Sequence, residues 1–159
     1  MSEDYIRVLK ESLEKKVDIL NKIIVRNEQQ KQLFQSDETT PDELESNIEA
    51  KGRLVDQIVA LDDGFEQLFK RVEKELSGNR EEHKQEIREM QELIRKVTEL
   101  SAKVESQEQR NRNLASSFFA GKKKTVKHVS KGTQVVSRYY QNMMQFGGIS
   151  SSRFTETSE

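Results

Sequence analysis

The residues able to do chemistry are few in this chain, and they are scattered. There is no cysteine, so thiolate nucleophiles and disulfides are excluded. The two histidines, His83 and His128, lie far apart. Neither has cysteines or acids at a metal-ligand spacing, so no metal is expected. Carboxylate pairs such as Glu81-Glu82 and Asp62-Asp63 fall on helix faces. Acid–base work by such a pair needs a concave, desolvated pocket, which a slender helical body rarely makes. Gly147-Gly148 has no following helix and lysine, so it is no phosphate loop. No enzyme activity and no cofactor are expected.

What remains is the stretch after Phe119. Lys122, Lys123, Lys124, Lys127 and Lys131 are interleaved with Val126, Val129, Val135, Val136, Tyr139, Tyr140, Met143, Met144 and Phe146. Basic groups among aromatics are one pattern for single-stranded nucleic acid. No base-reading motif accompanies them and the rest of the chain is acidic, so nucleic acid is not expected. Methionine is soft and adapts to helical partners. The nine apolar side chains are therefore the candidate surface for a partner protein. The alternative is that residues 126–146 pack on the body as a short fourth helix.

Charge divides the chain in the same place. Residues 110–159 carry nine Lys/Arg against Glu156 and Glu159, a balance of +7. The whole chain has 27 basic and 28 acidic residues, which leaves 18 and 26, or −8, for residues 1–109. An acidic body with a basic tail invites either docking of the tail or a charged partner. At 159 residues, 33% hydrophobic and 35% charged, the chain suits one thin bundle rather than a thick core. No apolar run approaches the ~18–20 residues of a membrane span, so membrane insertion is not expected. The opening M-S-E-D-Y has neither a basic nor an apolar region of a secretory signal.

Three long periodic segments must position whatever the chain binds. In the first, Ile6, Leu13, Leu20, Asn27 and Phe34 stand seven apart, with Leu9, Val17, Ile23 and Ile24 in a second row. It is expected to end near Gln35, and the short polar connection at 36–39 implies an antiparallel neighbour. The second segment opens T-T-P-D-E. Thr40 suits the N-cap, Pro41 the first helical position, and Glu43 completes a capping box. Its stripe is Leu44, Ile48, Val55, Ile58, Leu61, Phe65, Phe69, Val72 and Leu76. Gly78 is expected in the left-handed position that stops this helix. Asn79 is expected to cap the third, with Glu82 closing a second box. The third stripe is Ile87, Met90, Leu93, Ile94, Val97, Leu100, Val104, Leu114 and Phe118. A competing pattern keeps a seven-residue period straight through Gly78 and makes the second and third helices one rod. The turn is the favoured reading.

Polar residues interrupt the stripes at Asn27, Lys51, Asp62, Ser101 and Asn111. They act either as a register lock that a partner can open or as a wide, wet seam from which Lys51 snorkels to water. The fold class is thus all-α: an elongated antiparallel bundle or coiled coil of three long helices, plus a short, mobile C-terminal helix. Residues 1–119 form the bundle. Residues 120–159 form a basic segment, amphipathic over 126–146 and flexible over 147–159.

Several short stretches resemble the flagellar export chaperones of the FlgN type found in Gram-positive bacteria. They are L-E-K-K-V-D-I-L at 13–20, E-Q-Q-K-Q-L at 28–33, E-L-E-S-N-I-E-A-K at 43–51 and I-V-A-L-D-D-G-F-E-Q-L-F at 58–69. Lys51, Leu61-Asp62 and Gly64-Phe65 stand where that family has a lysine, an L-D step and a glycine-aromatic step. The stretch 108–113 is similar to the close of its third helix. Tyr139-Tyr140 with S-S-S-R-F at 150–154 is similar to its C-terminal ending. The resemblance implies a cytoplasmic chaperone that holds hook-filament junction subunits, prevents their premature assembly and passes them to the type III export apparatus. It implies that substrate binds toward the C-terminal segment, Val126 to Phe146 here. The basic C-terminus departs from the family pattern and leaves the substrate open. A structural coiled-coil oligomer or adaptor without chaperone activity is the alternative.

Overall fold

The computed structural model describes residues 2–122. Its first helix, α1 (Ser2–Gln35), follows directly from the seven-residue rows: Ile6, Leu9, Leu13, Leu20 and Ile23 are all buried on one side. The helix stops where its stripe stops. The Thr39 hydroxyl donates to the Leu33 carbonyl at 2.6 Å and satisfies one of the orphan acceptors of the last turn. Thr39 is itself buried, so this bond also fixes the tight reversal into the next helix.

That helix, α2 (Pro41–Leu76), begins as expected. The Glu43 N–H donates to the Thr40 hydroxyl at 3.2 Å, and the Thr40 N–H donates back to the Glu43 carboxylate at 3.4 Å. Asp42 and Glu43 add negative charge at the positive end of the helix dipole. The third helix, α3 (Lys84–Lys122), runs past Phe119 and through Ala120-Gly121. The turn reading therefore holds over the single rod, and the three helices form an antiparallel all-α bundle. With 34 to 39 residues each, the helices are roughly 50–60 Å long.

The turn itself is built differently from the expectation. Ser77 is the C-cap with φ −59° and ψ −24°, and no described glycine has a positive φ. Gly78 is therefore not in the left-handed conformation. A 3₁₀-type bond from the Asn79 N–H to the Leu76 carbonyl tightens the helix end instead. Asn79 does not cap α3 either. The helix starts five residues later, with the Ile87 N–H donating to the His83 carbonyl at 2.9 Å. The His83 Nδ1 lies 2.8 Å from the Glu86 carboxylate. A buried histidine takes the position where an asparagine was expected.

Packing is unequal around the bundle. α1 lies along both α2 and α3, but no Cα of α2 comes within 8 Å of one of α3. Among the described residues the helices thus form a corner with α1 at its apex. Buried residues from all three line the inside of that corner: Leu13 and Ile23 from α1, Ile48 and Ile58 from α2, Met90 and Val97 from α3. Phe34 of α1 meets Phe118 and Phe119 of α3 with centroids 5.5 and 6.2 Å apart, which closes the hairpin end.

Gly64 sits in mid-helix with open space where a Cβ would go. Replacing it by alanine removes backbone entropy from the unfolded chain and should stabilise the protein by about 1 kcal/mol in chemical denaturation. Gly78→Ala, at an ordinary negative φ, should change stability by no more than about 0.5 kcal/mol. A loss well beyond that would restore the left-handed assignment.

Candidate functional site

Two features stand out among the described residues: a polar layer inside the bundle and an apolar cleft at one end. The layer lies about two turns from the α1–α2 reversal. Gln30 of α1 and Lys51 of α2 fall on rows of apolar residues spaced by seven, Leu9 to Ile23 and Leu44 to Val72. Glu108 and Asn111 of α3 do the same. Their positions in the stripes force them inward, so they must bond to one another.

They do so as a network. The Lys51 ammonium pairs with the Glu108 carboxylate across the corner between α2 and α3, and also donates to Gln30 Oε1 at 3.4 Å. Gln30 Nε2 donates to Asn47 Oδ1, and Asn47 Nδ2 to the Arg26 carbonyl. Asn111 Nδ2 donates to Gln30 Oε1 at 3.1 Å and to the Asn27 carbonyl at 2.9 Å. Asn27 Nδ2 donates to Gln107 Oε1, while Gln107 Nε2 reaches Glu28 and the Ile24 carbonyl. Glu28 lies below the usual carboxylate range because Gln107 and then Arg110 donate to it. About three to four turns back along α1, Lys16 and Asp62 form a second ion pair at 2.5 Å, with side chains 3% and 12% exposed.

Lys51 has 0% exposure, so it does not snorkel; that reading is corrected by the Glu108 carboxylate waiting across the corner. Burial pushes its ammonium down to about 8 from 10.5, with Glu108 pulling the other way. Asn27 Oδ1 and Ser101 Oγ are buried without a hydrogen-bond partner among the described residues. Asn27, Lys51, Asp62 and Asn111 belong to the bonded interior that the register-lock reading describes. Gln30, Asn47, Gln107 and Glu108 complete the layer and were not singled out from the sequence. For Gln30 and Asn47 a signal was available: they lie at comparable distances on either side of the reversal at 36–39, so antiparallel pairing brings them to one level.

The cleft lies at the opposite end and holds about 270 Å³. Leu9 of α1 contributes to it from the apex. Phe69, Val72 and Leu76 of α2 face Ile87, Met90 and Ile94 of α3. Phe65 stacks on Phe69 with centroids 6.0 Å apart and fixes its ring. Glu73, Arg80 and Gln91 supply the polar rim. The cleft exists because the α2–α3 side of the bundle is open. It offers apolar contact over about two helical turns of each wall.

The sequence-derived partner surface, Val126, Val129, Val135, Val136, Tyr139, Tyr140, Met143, Met144 and Phe146, lies outside the described residues, as does His128. No group of three or more His, Cys, Asp or Glu among the described residues is arranged to hold a metal. No described helix is long and apolar enough to cross a membrane. Comparison with protein-family models, with curated proteins and with solved structures finds no match to this chain.

The buried pair makes a signed claim about stability. Below about pH 8 Lys51 is charged in both folded and unfolded chains, and its full desolvation cost weighs on the fold. Between about 8 and 10.5 the folded chain gives up the proton first, so this group's cost is relieved and stability rises with pH. Comparing urea unfolding at pH 7.5 and 10 should show that rise in the natural chain, on the order of 3 kcal/mol at most, and not in Lys51→Met/Glu108→Leu. Lys51→Met alone strands a buried carboxylate and should destabilise by about 3–5 kcal/mol, whereas the double change should be near neutral or stabilising.

Proposed function

We propose that this protein is a non-catalytic carrier of an amphipathic helix, of the flagellar export chaperone kind. The observation that carries the reading is the open α2–α3 side with its apolar cleft. Among the described residues the side between α2 and α3 is uncovered, and a partner's helix laid there would bury its own sticky stripe. On this reading the client is the terminal helix of a hook-filament junction subunit. Keeping that helix covered prevents premature assembly until the subunit reaches the export apparatus in the cytoplasm.

The resemblance in the four short stretches supplies the client class, and the cleft supplies the mode. On this reading the apolar residues of 126–146, which lie outside the described residues, also contribute to client affinity. Aromatic anchors in such a site carry most of the affinity, while rim charges such as Glu73 steer the encounter. An adaptor or structural oligomer lacking chaperone activity is the competing reading.

Calorimetric titration with the terminal helical peptide of a hook-junction protein tests this. The full chain should bind. Phe69→Ala should weaken binding by about 1–2 kcal/mol with the helical signal unchanged, and so should Tyr140→Ala. A chain ending at Lys122 should stay helical and bind at least tenfold more weakly, about 1.4 kcal/mol. Peptide affinity indifferent to all three changes would overturn the reading. So would absence of binding accompanied by concentration-dependent self-association, which points to the oligomer.

A further inference from the structure

We infer that the Lys51–Glu108 pair is a strut: it sets the separation of α2 and α3 and thereby holds the apolar cleft open. The inference rests on the cleft being the helix-binding surface proposed above, and it assigns positioning residues to it.

The argument begins with reach. No Cα of α2 lies within 8 Å of one of α3, yet Lys51 and Glu108 are in contact. Two long, unbranched side chains bridge that separation. The Lys51 end is held in place. Gln30 accepts from the Lys51 ammonium, and Asn111 donates to the same Gln30 oxygen. Asn47 holds Gln30 from the α2 side. The strut is therefore braced by α1 and cannot fold over.

Apolar attraction alone gives no reason for the gap. Apolar helices pack at 8–10 Å between axes, and α1 lies closely along both of its neighbours. Ile58, Val97 and Val104 already line the inside of the corner. With nothing long between them, α2 and α3 would settle toward each other and bury Phe69, Leu76, Ile87 and Ile94 in a closed three-helix core. That closed state removes more apolar surface from water than the open one. The strut withholds it.

The cleft lies some 14 residues up α3 from Glu108, counting to Ile94, which is roughly 20 Å of helix. A helix is stiff over that distance, and the other ends of α2 and α3 are joined only by the turn at 77–83. The separation set at the strut therefore carries to the cleft. The row Ile87, Ile94, Ser101, Glu108 on α3 steps by seven from cleft to strut. Glu73, Glu66, Val59 and Gly52 do the same on one side of α2. Val59 is 51% exposed there, a large apolar side chain left in water along a side that a closed bundle would cover.

Length and charge can be separated. Lys51→Met/Glu108→Met keeps two long unbranched side chains and removes both charges. Lys51→Ala/Glu108→Ala removes the length. The absence of cysteine allows spin labels at Glu66→Cys on α2 and Arg95→Cys on α3, two exposed positions near the level of Ile94. Pulsed electron resonance on the full chain should give the same label distance in the natural and Met/Met proteins, and a shorter one by several ångströms in Ala/Ala. Circular dichroism should show all three helical. The same three proteins, titrated with the hook-junction terminal peptide, should bind alike for natural and Met/Met, and at least tenfold more weakly for Ala/Ala.

An unchanged distance in a helical Ala/Ala protein overturns the strut. So does a shortened distance in Met/Met, which would make charge rather than length the cause. If Ala/Ala fails to fold, Lys51→Met/Glu108→Ala takes its place, with an intermediate distance expected and an unchanged one overturning the inference. Failure of the peptide to bind any of the proteins counts against the carrier reading alone, because the distance is read without it.

Discussion

Two opposite charges almost wholly removed from water sit between α2 and α3, and much of the structure answers to them. Taking Lys51 and Glu108 out of water costs several kcal/mol per ion before their attraction is counted. That cost is tolerable only because Gln30, Asn47 and Asn111 surround the pair and because its geometry is fixed. An apolar pair of similar volume is generally no less stable. The charges are therefore explained by what they specify. They allow one register, in which α1, α2 and α3 bring their polar residues to the same level. Any slip by a turn leaves a buried ion without its partner.

From that register the remaining architecture follows. Thr39 and the Thr40–Glu43 box fix the reversal between α1 and α2 about two turns from the layer. α1 becomes the apex helix because its apolar rows are the most complete, from Ile6 to Phe34 with polar breaks only at Lys16, Asn27 and Gln30. α2 and α3 are left facing each other across a gap, bridged by long polar side chains at one level and by apolar cleft walls at the other. The apolar cleft thus lies between two helices that do not pack on each other along their length.

Much of this was legible in the chain. Seven-residue rows gave helix identity, and T-T-P-D-E gave the start of α2 to the residue, because caps depend on local bonds. The turn at 77–83 was legible in place but not in form. Gly78 permits the left-handed conformation, yet permission is not requirement, and Ser77 ends the helix with ordinary dihedrals. His83 at the start of α3 carries no strong cap signature, so the helix start was read four residues early. Lys51 is the most instructive case. Whether a lysine in an apolar row snorkels or stays buried depends on what stands across the bundle. Its partner is 57 residues away at Glu108, which no local pattern reveals. The open α2–α3 side was likewise hidden, since periodicity fixes which face a helix buries and not how far apart two such faces lie.

The central claim is that the α2–α3 side receives a helix, and the Met90 methyl group reports on it most directly. Met90 is 6% exposed, lines the cleft and belongs to a chain with only four methionines, so its resonance is easily followed. In a methyl NMR titration of the full chain with the terminal helical peptide of a hook-junction protein, the Met90 signal should shift saturably together with the methyls of Ile87 and Ile94. Val25, exposed on α1, should stay where it is. Peptide binding that leaves Met90, Ile87 and Ile94 unmoved while perturbing Val25 would contradict the account and place the helix on the apex side of the bundle.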